Sequence, residues 1–312
     1  MRFLDGPHIA KTLDTSELME RIAAMFRAGA AAAPLRHHHA FADGAGTLLL
    51  MPAWDGRFVG VKIATVVPGN AARGTASVQA TYFLLDGATG KPLAALEGRE
   101  LTLRRTAATS ALASRWLSRP DSARLLLVGA GDLAPHLACA HALVRPIREI
   151  AVWNRTPARA EALAGALAAE LAPKGIAVHA VGDLADAVAD ADIISTATLA
   201  TEPILRGAWL GPGQHLDLVG SFRPHMREAD DETLRRASLY CDTREAATRE
   251  SGDFAVPLAR GVISLADIRG DLFDLARNDR PARAGPDEIT LFKSVGHAFE
   301  DLAAAALAFE RG

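Results

Sequence analysis

The chain has 312 residues, 49% of them hydrophobic and 23% charged, which is long enough for two packed cores and too polar for an integral membrane protein. Its formal net charge of -3 gives no long-range attraction for nucleic acid or anionic lipid, so we expect a small-molecule partner. With two cysteines and no signal-peptide pattern at the N-terminus, the sequence predicts a cytoplasmic protein without a disulfide framework.

The first third of the chain is predicted to contain one helix followed by strands. Residues 14–29 begin with Asp14 three positions before Glu17, a capping-box-like start, and then follow a helical hydrophobic period. The apolar face of this helix carries Leu18, Ile22, Met25 and Phe26. From about residue 34 to 105, apolar runs separated by Gly, Asp, Asn and Pro predict an antiparallel sheet, and a second helix is expected at about 106–118.

The pattern changes between about residues 122 and 245, where short apolar runs alternate with alanine-rich helical segments. This alternation predicts an α/β fold with a doubly wound parallel sheet. The run from Leu125 to Val128 is apolar throughout, as in strands that are covered on both faces. A last helix is expected within about 288–311, with Phe299, Leu302, Ala303 and Ala306 on one face.

The segment VGAGDLAP follows an apolar run and opens a helical one. Gly129, Gly131 and Ala134 form a G-x-G-x-x-A arrangement in the strand-turn-helix context that the dinucleotide fingerprint requires. Gly129 suits the tight turn, Gly131 lets the backbone approach a pyrophosphate, and Ala134 permits close helix packing. A plain glycine-rich turn is the alternative. The predicted cofactor residues of this segment are Gly129, Ala130, Gly131, Asp132 and Leu133.

The next predicted strand ends in Asn154, Arg155 and Thr156, at the point where NAD-dependent enzymes carry an acid for the ribose 2′-hydroxyl. An acid would repel a 2′-phosphate, whereas Asn, Arg and Thr side chains can accept one. These residues favour NADP(H) as the cofactor, with NAD(H) still possible. The alternative is that Arg155 is a solvated surface arginine.

Two later strand ends carry small or polar residues. Thr196, Ala197 and Thr198 end one strand and are expected to face a ligand crevice, although ordinary loop polarity explains them almost as well. The segment LVGSFRPHMREAD places Gly220 and Ser221 at another strand end, where they are expected to let a nicotinamide approach. The acids that follow are interpreted as the solvated first turn of a helix. They are Glu228, Asp230, Asp231 and Glu232.

Three cations in the first third of the chain raise the question of a buried charge. Lys62 lies in the apolar strand FVGVKIATVV, where an inward lysine is costly unless it is paired. Arg36 and Arg105 are each more often surface cations when taken alone, but together they could bind a carboxylate through parallel hydrogen bonds. The histidines at 37–39 invite a metal site. Adjacent side chains in an extended segment point to opposite sides and no second ligand pair accompanies them, so we predict no metal.

Six motifs, in order and covering most of the chain, carry a resemblance to a known family. They are GVK followed by PGN, LRRTAATSALA, VGAG, NRT, VGSFRPHMREAD and TLFKSVGHAFEDLAAA. With these motifs the sequence resembles the ornithine cyclodeaminase and mu-crystallin family. The resemblance implies a homodimer with a Rossmann-type NAD(P)-binding domain at 114–288. It also implies an α+β substrate-binding and dimerisation domain at 1–113, completed by 289–312.

The resemblance implies roles for individual residues as well. Lys62 would lie at the reacting centre, Arg105 would bind the substrate carboxylate, and Arg36 would assist it. The fingerprint glycines and the NRT segment carry over as the cofactor site. A lysine beside two arginines is expected to have a lowered pKa, and it can hold or supply a proton while hydride arrives. The resemblance also places Ser294, Val295 and Gly296 near the nicotinamide.

Position 222 separates two activities within the family. The cyclodeaminase branch assigns its chemistry to an aspartate directly after a VGG turn, and Phe222 stands at that position here. We therefore expect an NAD(P)H-dependent reductase of a cyclic imino acid such as Δ1-pyrroline-2-carboxylate, or a related amino-acid dehydrogenase. One alternative is ornithine cyclodeaminase itself, with His225 or Asp217 in place of the missing acid. The other is a non-catalytic NADPH-dependent binder of a small acidic molecule.

Overall fold

The computed structural model describes residues 1–29, 31–278 and 282–312, without the side chain of residue 71. The chain divides into two compact units. Unit 1 comprises Met1–Thr109 and Gly296–Gly312, and unit 2 comprises Ser110–Val295. Within the described residues, no helix combines the length and the apolar character needed to cross a membrane.

The long antiparallel strands lie in the first third of the chain, and shorter strands and helices follow. The strands are β1 (Arg2–Leu4), β2 (His37–Phe41), β3 (Gly46–Trp54), β4 (Phe58–Val66), β5 (Val78–Asp86), β6 (Pro92–Glu97), β7 (Arg124–Val128), β8 (Glu149–Trp153), β9 (Ala177–Ala180), β10 (Ile193–Thr196), β11 (His215–Leu218), β12 (Ser238–Cys241), β13 (Ile268–Asp271) and β14 (Thr290–Lys293). The helices are α1 (Gly6–Thr12), α2 (Thr15–Ala28), α3 (Gly98–Leu117), α4 (Ala134–Val144), α5 (Pro157–Leu171), α6 (Leu184–Asp190), α7 (Asp231–Arg236), α8 (Arg244–Glu250), α9 (Gly252–Ala259), α10 (Leu272–Arg277) and α11 (Ala298–Arg311).

Unit 1 is built on a six-stranded sheet in the order β1-β6-β5-β4-β3-β2, antiparallel except for the β1–β6 pair. Alternate residues of β4 from Phe58 to Val66 are buried, and α11 packs against this sheet. α2 packs against α11. Leu18, Ile22 and Phe26 of its predicted apolar face are buried, whereas Met25 is only partly buried and Met19 is buried instead. α11 is buried from Ala298 to Ala308, so the C-terminal helix completes the N-terminal unit.

α3 begins at Gly98, well before the start expected at about residue 106. The predicted strand PLAALEGREL is correct as far as Glu97, but its last four residues, GREL, belong to the helix. The Glu97 carboxylate accepts hydrogen bonds from the backbone N–H groups of Arg99 and Glu100 at 2.8 and 2.7 Å. It thereby satisfies two donors that the first turn of a helix leaves without an intrahelical partner.

Unit 2 contains an eight-stranded parallel sheet in the order β13-β12-β14-β11-β10-β7-β8-β9. This order confirms the doubly wound parallel sheet predicted from the alternating pattern and the Rossmann-type fold that the resemblance implies. The chain runs outward from β7 through β8 to β9 and then places β10 on the other side of β7. The reversal between β7 and β10 is the topological switch point, beside which such sheets bind ligands at the carboxyl ends of their strands.

β14 lies between β11 and β12 of this sheet. The boundary expected at 288/289 placed these residues in the other domain, and the structure differs because their backbone hydrogen bonds belong to unit 2. The boundaries in the structure fall at 109/110, inside α3, and at 295/296. A run of four residues such as TLFK is too short for its periodicity to distinguish a buried strand from the helix that follows.

Candidate functional site

Lys62 projects from β4 onto the buried face of the unit 1 sheet, where only 4% of it is exposed. Its Nζ lies 2.9 Å from Oδ1 and 2.7 Å from Oδ2 of Asp301, in the first turn of α11. An unpaired ammonium at this depth would be strongly destabilising, so the ion pair explains how the strand accommodates a lysine.

Arg105 reaches the same carboxylate from α3. Its Nε lies 2.9 Å from Oδ1 of Asp301, and its Nη1 donates to Oε2 of Glu300 at 2.6 Å. Arg36 donates through Nη2 to the carbonyl of Gly296 at 2.6 Å. The cluster thus contains the three cations selected from the sequence and two acids from α11. The two guanidinium groups of this cluster have the donor geometry that suits a carboxylate ligand.

The two acids of α11 were missed by sequence reasoning, although the helix carries a signal for them. After Glu300 and Asp301 it continues with LAAAALAF, which has no polar residue over two turns. A helix that is apolar all round is buried all round, so acids in its first turn need buried cations as partners. Only the apolar face of this helix was interpreted, and its acids were not paired with the lysine or the arginines.

The pKa of Lys62 is lowered to about 8, first by burial and then by Arg105, with a smaller contribution from Arg36, while Asp301 opposes the shift. The direction is the one expected, but burial outweighs the arginines as its cause. Burial raises the pKa of Asp301, yet Arg105 and Lys62 outweigh it and lower the pKa overall, so this carboxylate stays ionised. Lys62 can therefore lose and regain a proton near neutral pH beside a fixed negative charge.

Two titratable groups near the charged cluster, His297 and Tyr82, stay neutral near pH 7. Burial, assisted by Arg36, lowers the pKa of His297 to about 4. Burial raises the pKa of Tyr82 well above its usual value, and Asp301 adds to this effect. Tyr82 lies opposite Lys62 in the β4–β5 register, and its hydroxyl has no hydrogen-bond partner among the described residues. Neither group competes with Lys62 as a charged proton donor.

Gly60 lies on the same face as Lys62, and Tyr82 fills the space above it. A Cβ at residue 60 would lie 2.0 Å from the Tyr82 hydroxyl oxygen and 2.6 Å from its Cζ. Gly60→Ala is therefore expected to lower the free energy of unfolding by about 1–3 kcal/mol, because the ring must move within a packed interior. Urea unfolding measures the change. Gly165→Ala, an exposed position in α5 with open space around it, is the control and is expected to stabilise slightly. Equal stability of Gly60→Ala and wild type would refute this packing.

The glycine fingerprint lies between β7 and α4, as predicted. Gly129 has a φ of 112°, and a Cβ there would lie 2.8 Å from the carbonyl oxygen of Ala197, so the turn requires glycine. Nothing lies within 4 Å of a Cβ placed at Gly131, which leaves its backbone open to a ligand, and Asp132 beside it is exposed. Leu133 is the N-cap residue of α4 and makes no side-chain capping bond, which suits a phosphate at this helix N-terminus.

Asn154 ties the fingerprint turn to the end of β8. Its Oδ1 accepts from the backbone N–H of Ala130 at 3.2 Å, and its Nδ2 donates to the carbonyl of Thr156 at 3.0 Å. Arg155 and Thr156 are both exposed at this strand end. A neutral side chain therefore lies at the end of β8 and organises the turn, while Arg155 is exposed.

Other predicted cofactor residues lie at the carboxyl ends of β10 and β14. The hydroxyls of Thr196 and Ser294 are buried without a hydrogen-bond partner among the described residues. Ala197 packs against the fingerprint turn, since its carbonyl oxygen occupies the space that a Cβ at Gly129 would need. The backbone N–H of Val295 donates to Oδ2 of a buried aspartate, Asp242, at 2.6 Å.

Gly220 and Ser221 were expected to leave room for a nicotinamide, but protein atoms already fill the space beside them. A Cβ at Gly220 would lie 2.1 Å from the carbonyl oxygen of Thr198. The Ser221 hydroxyl donates to the carbonyl of Met226 at 2.7 Å and lies 2.8 Å from the hydroxyl of Ser251. Glycine is needed at 220 because two chain segments touch there, and Ser221 packs the turn that follows.

The acids after β11 are only partly as expected. Asp230 caps α7, as interpreted, but the assignment of Glu228 to a solvated turn is wrong, because this side chain is fully buried. Asp217, considered as a replacement acid, is also fully buried and accepts a hydrogen bond from Ser195 at 2.7 Å. It therefore belongs to the interior of unit 2, whereas His225 is exposed.

The three adjacent histidines lie on the exposed edge strand β2. The rings of His37 and His39 are on the same side and stack at 6.4 Å. Across the described ranges, no group of three His, Cys, Asp or Glu side chains has an arrangement that could hold a metal ion.

Comparison with known proteins places this geometry in context. The model of the ornithine cyclodeaminase/mu-crystallin family matches residues 6–312. The Δ1-pyrroline-2-carboxylate reductase of Paracoccus denitrificans is 42% identical to this chain over 266 residues, which cover 84% of this chain and 81% of that protein.

Two solved structures are similar over both units. One is the Δ1-pyrroline-2-carboxylate reductase of Thermococcus litoralis in complex with NADH and L-proline. It has a TM-score of 0.95 and 34% identity, with 100% of this chain and 97% of that chain covered. The other is an archaeal alanine dehydrogenase dimer with bound NAD. It has a TM-score of 0.92 and 26% identity, with 100% and 95% covered.

Proposed function

The chain belongs to the ornithine cyclodeaminase/mu-crystallin family, and from this premise we propose that it reduces a cyclic imino acid such as Δ1-pyrroline-2-carboxylate with NAD(P)H. The observation that carries the proposal is the buried cluster of Lys62, Asp301 and Arg105, with Arg36 beside it. This cluster offers a proton-exchanging amine and two guanidinium groups that can bind a carboxylate. The similarity to the Paracoccus and Thermococcus reductases supports the substrate class.

Each group of the cluster has a task in this reaction. Arg36 and Arg105 bind the substrate carboxylate and so hold Cα and the imine nitrogen in a fixed position relative to Lys62. NAD(P)H, when bound, would supply the hydride for Cα. The Lys62 ammonium donates a proton to the imine nitrogen, so the C=N double bond becomes a single bond with one new C–H and one new N–H bond. Asp301 holds the ammonium in place and remains ionised.

An activity assay with purified protein tests this function. NADPH oxidation is followed with Δ1-pyrroline-2-carboxylate and with a panel of other cyclic imines and amino acids, and turnover that requires both nucleotide and imine is the expected result. Nucleotide binding without turnover on any member of the panel would reject the reductase and leave a binding protein.

The cyclodeaminase alternative is tested in the same preparation with L-ornithine and catalytic NAD⁺. Phe222 is half-buried, and the Arg223 guanidinium lies 5.7 Å from the centre of its ring. A phenyl ring can neither donate nor accept a proton, so no ammonia release is expected. Ammonia formed at a rate comparable with imine reduction would make cyclodeaminase the better assignment.

We infer a preference for NADP(H), supported by the exposed Arg155 and the neutral Asn154 at the end of β8. Arg155→Ala is expected to raise the KM for NADPH roughly 10-fold, because one charged hydrogen bond to the 2′-phosphate is lost. The KM for NADH, which has no such phosphate, is expected to stay unchanged. Lys174→Ala removes another exposed cation of unit 2 and is the control. If both nucleotides lost affinity equally, Arg155 would not be the phosphate ligand.

We propose that the protein is a homodimer formed through the open face of the unit 1 sheet, the face opposite Lys62. Its apolar side chains are only partly buried within one chain. They are Leu48 and Leu50 of β3, Val59, Val61 and Ile63 of β4, and Phe83 and Leu85 of β5. A contiguous apolar face of this kind marks an interaction surface, and a second copy presents the same face in return. The similar archaeal alanine dehydrogenase is a dimer.

Val61→Glu tests the dimer, because it places a charge at the centre of this face between Pro52 and Phe83. The wild type is expected to have the mass of two chains in light scattering, and Val61→Glu that of one, since burying an unpaired carboxylate opposes association. Ala88→Glu, in the exposed turn between β5 and β6, is the control and is expected to remain a dimer. A wild type with the mass of one chain would end this proposal.

A further inference from the structure

Glu228 joins the carboxyl ends of β10 and β11. Its Oε1 accepts hydrogen bonds from the backbone N–H and the hydroxyl of Thr198, both at 2.8 Å, and its Oε2 accepts from the backbone N–H of Gly220 at 2.7 Å. The side chain is fully buried, so these bonds are shielded from water. Because Thr198 follows β10 and Gly220 follows β11, one carboxylate fixes the distance between two neighbouring strand ends.

The contact between these strand ends leaves no room for adjustment. The space of a Cβ at Gly220 is taken by the Thr198 backbone, and it also lies 2.5 Å from Oε1 of Glu228. A side chain at residue 220 would have to separate the two segments. The absence of a side chain at Gly220 and the Glu228 carboxylate therefore both determine the distance between the Thr198 and Gly220 backbones.

Two further buried charged residues, Asp253 and Lys293, hold the backbone next to Glu228. Oδ1 of Asp253 accepts from the backbone N–H groups of Glu228 and Ala229 at 2.8 and 3.1 Å. Lys293 lies 3.3 Å from Oδ2 of Asp253 and donates to the carbonyl of Leu218 at 3.1 Å. None of the three charged side chains is exposed. Buried ionic networks add little to stability compared with an apolar core, but they can specify one geometry.

We propose that Glu228 is a positioning residue for the nicotinamide nucleotide, which sets the spacing of the Thr198 and Gly220 backbones at the carboxyl edge of the unit 2 sheet. This edge is where folds of this type bind the nucleotide, and precise sites depend on the residues that support their lining. The inference rests on the proposed function, because it assumes that site. Glu228 acts through the two backbones that it holds and does not touch the nucleotide.

The test compares Glu228→Gln and Glu228→Ala with a matched control, Asp217→Asn. Asp217 is also a fully buried acid that accepts side-chain hydrogen bonds, from Ser110 and Ser195, but it lies within β11 rather than after it. The dissociation constant of NADPH is expected to rise roughly 10-fold in Glu228→Gln, which keeps one acceptor oxygen, and roughly 100-fold in Glu228→Ala. Asp217→Asn is expected to lower the melting temperature and leave that constant unchanged.

Hydrogen exchange of the protein without nucleotide gives a second readout that does not depend on activity. Glu228→Gln is expected to raise exchange in segments 197–200 and 219–222 and to leave the rest of the unit 2 sheet as in the wild type. Asp217→Asn should not change exchange selectively in these two segments.

Two failures can be told apart. If the Glu228 variants lose stability like Asp217→Asn but keep wild-type NADPH affinity and wild-type exchange in the two segments, Glu228 is only part of the core and the inference is rejected. If the wild-type protein binds neither NADPH nor NADH, the proposed function fails, and the positioning role fails with it.

Discussion

Replacing Lys62 by methionine is expected to lower kcat for reduction of Δ1-pyrroline-2-carboxylate by roughly 10²- to 10⁴-fold, the usual contribution of a positioned general acid. Methionine is long and apolar enough to fill the buried site, and Asp301 keeps its ion pair with Arg105. Folding and the KM for the nucleotide are therefore expected to stay close to wild type. Steady-state kinetics and thermal unfolding measure the two effects separately.

The pH dependence of the wild type gives the same prediction an independent readout. Lys62 donates a proton only when it is charged, and its pKa is lowered to about 8. The rate of reduction is thus expected to fall as the pH rises through about 8, whereas the reverse oxidation, which needs the neutral amine, is expected to rise over the same range. This dependence should be absent from the Lys62→Met variant.

Tyr82→Phe is the matched control for Lys62→Met. It removes a buried hydroxyl that lies opposite Lys62 in the sheet and has no hydrogen-bond partner among the described residues. No hydrogen bond within the described protein is lost, so the rate is expected to stay within about 2-fold of wild type. A fully active Lys62→Met, or a Tyr82→Phe as inactive as Lys62→Met, would remove Lys62 from the role of proton donor.

The second large effect is expected for Arg105→Lys. Lysine keeps a positive charge next to Glu300 and Asp301, but it lacks the planar fork that gives a carboxylate two parallel hydrogen bonds. kcat/KM for the imino acid is therefore expected to fall roughly 10- to 100-fold, mainly through KM, as for the loss of one charged hydrogen bond.

This loss should depend on the substrate carboxylate. An amide analogue of the imino acid is expected to be a poor substrate for the wild type, and Arg105→Lys should reduce its turnover little further, since the interaction is already missing. Arg104→Lys is the control, because Arg104 pairs with Glu100 on a partly exposed part of α3. Equal losses with the acid and the amide would show that Arg105 does not bind the carboxylate.

The Rossmann-type sheet could be predicted because its information is local. Runs such as RLLLV and the glycines that follow it determine a strand and a turn without reference to the rest of the chain. The start of α3 and the position of β14 could not be predicted in the same way. Glu97 caps a helix only because β6 ends at this residue, and TLFK becomes a strand only because β11 and β12 leave a place between them.

The candidate site shows the same division between local and long-range information. A lysine in the middle of an apolar strand indicated Lys62, but its partner Asp301 follows it by most of the chain length. Glu228 was misplaced for a related reason. Its spacing from Asp230 and Asp231 fits a solvated helix turn, and its burial depends on the ends of β10 and β11, which meet only in the folded sheet.

The most direct test of the proposed reduction follows the hydride itself. NADPH carrying deuterium in both positions at C4 is incubated with the protein and Δ1-pyrroline-2-carboxylate, and the proline formed is examined by mass spectrometry and NMR. The account predicts proline with one deuterium at Cα for each NADPH oxidised. Proline without that deuterium, or no proline from a protein that binds the nucleotide, would contradict it.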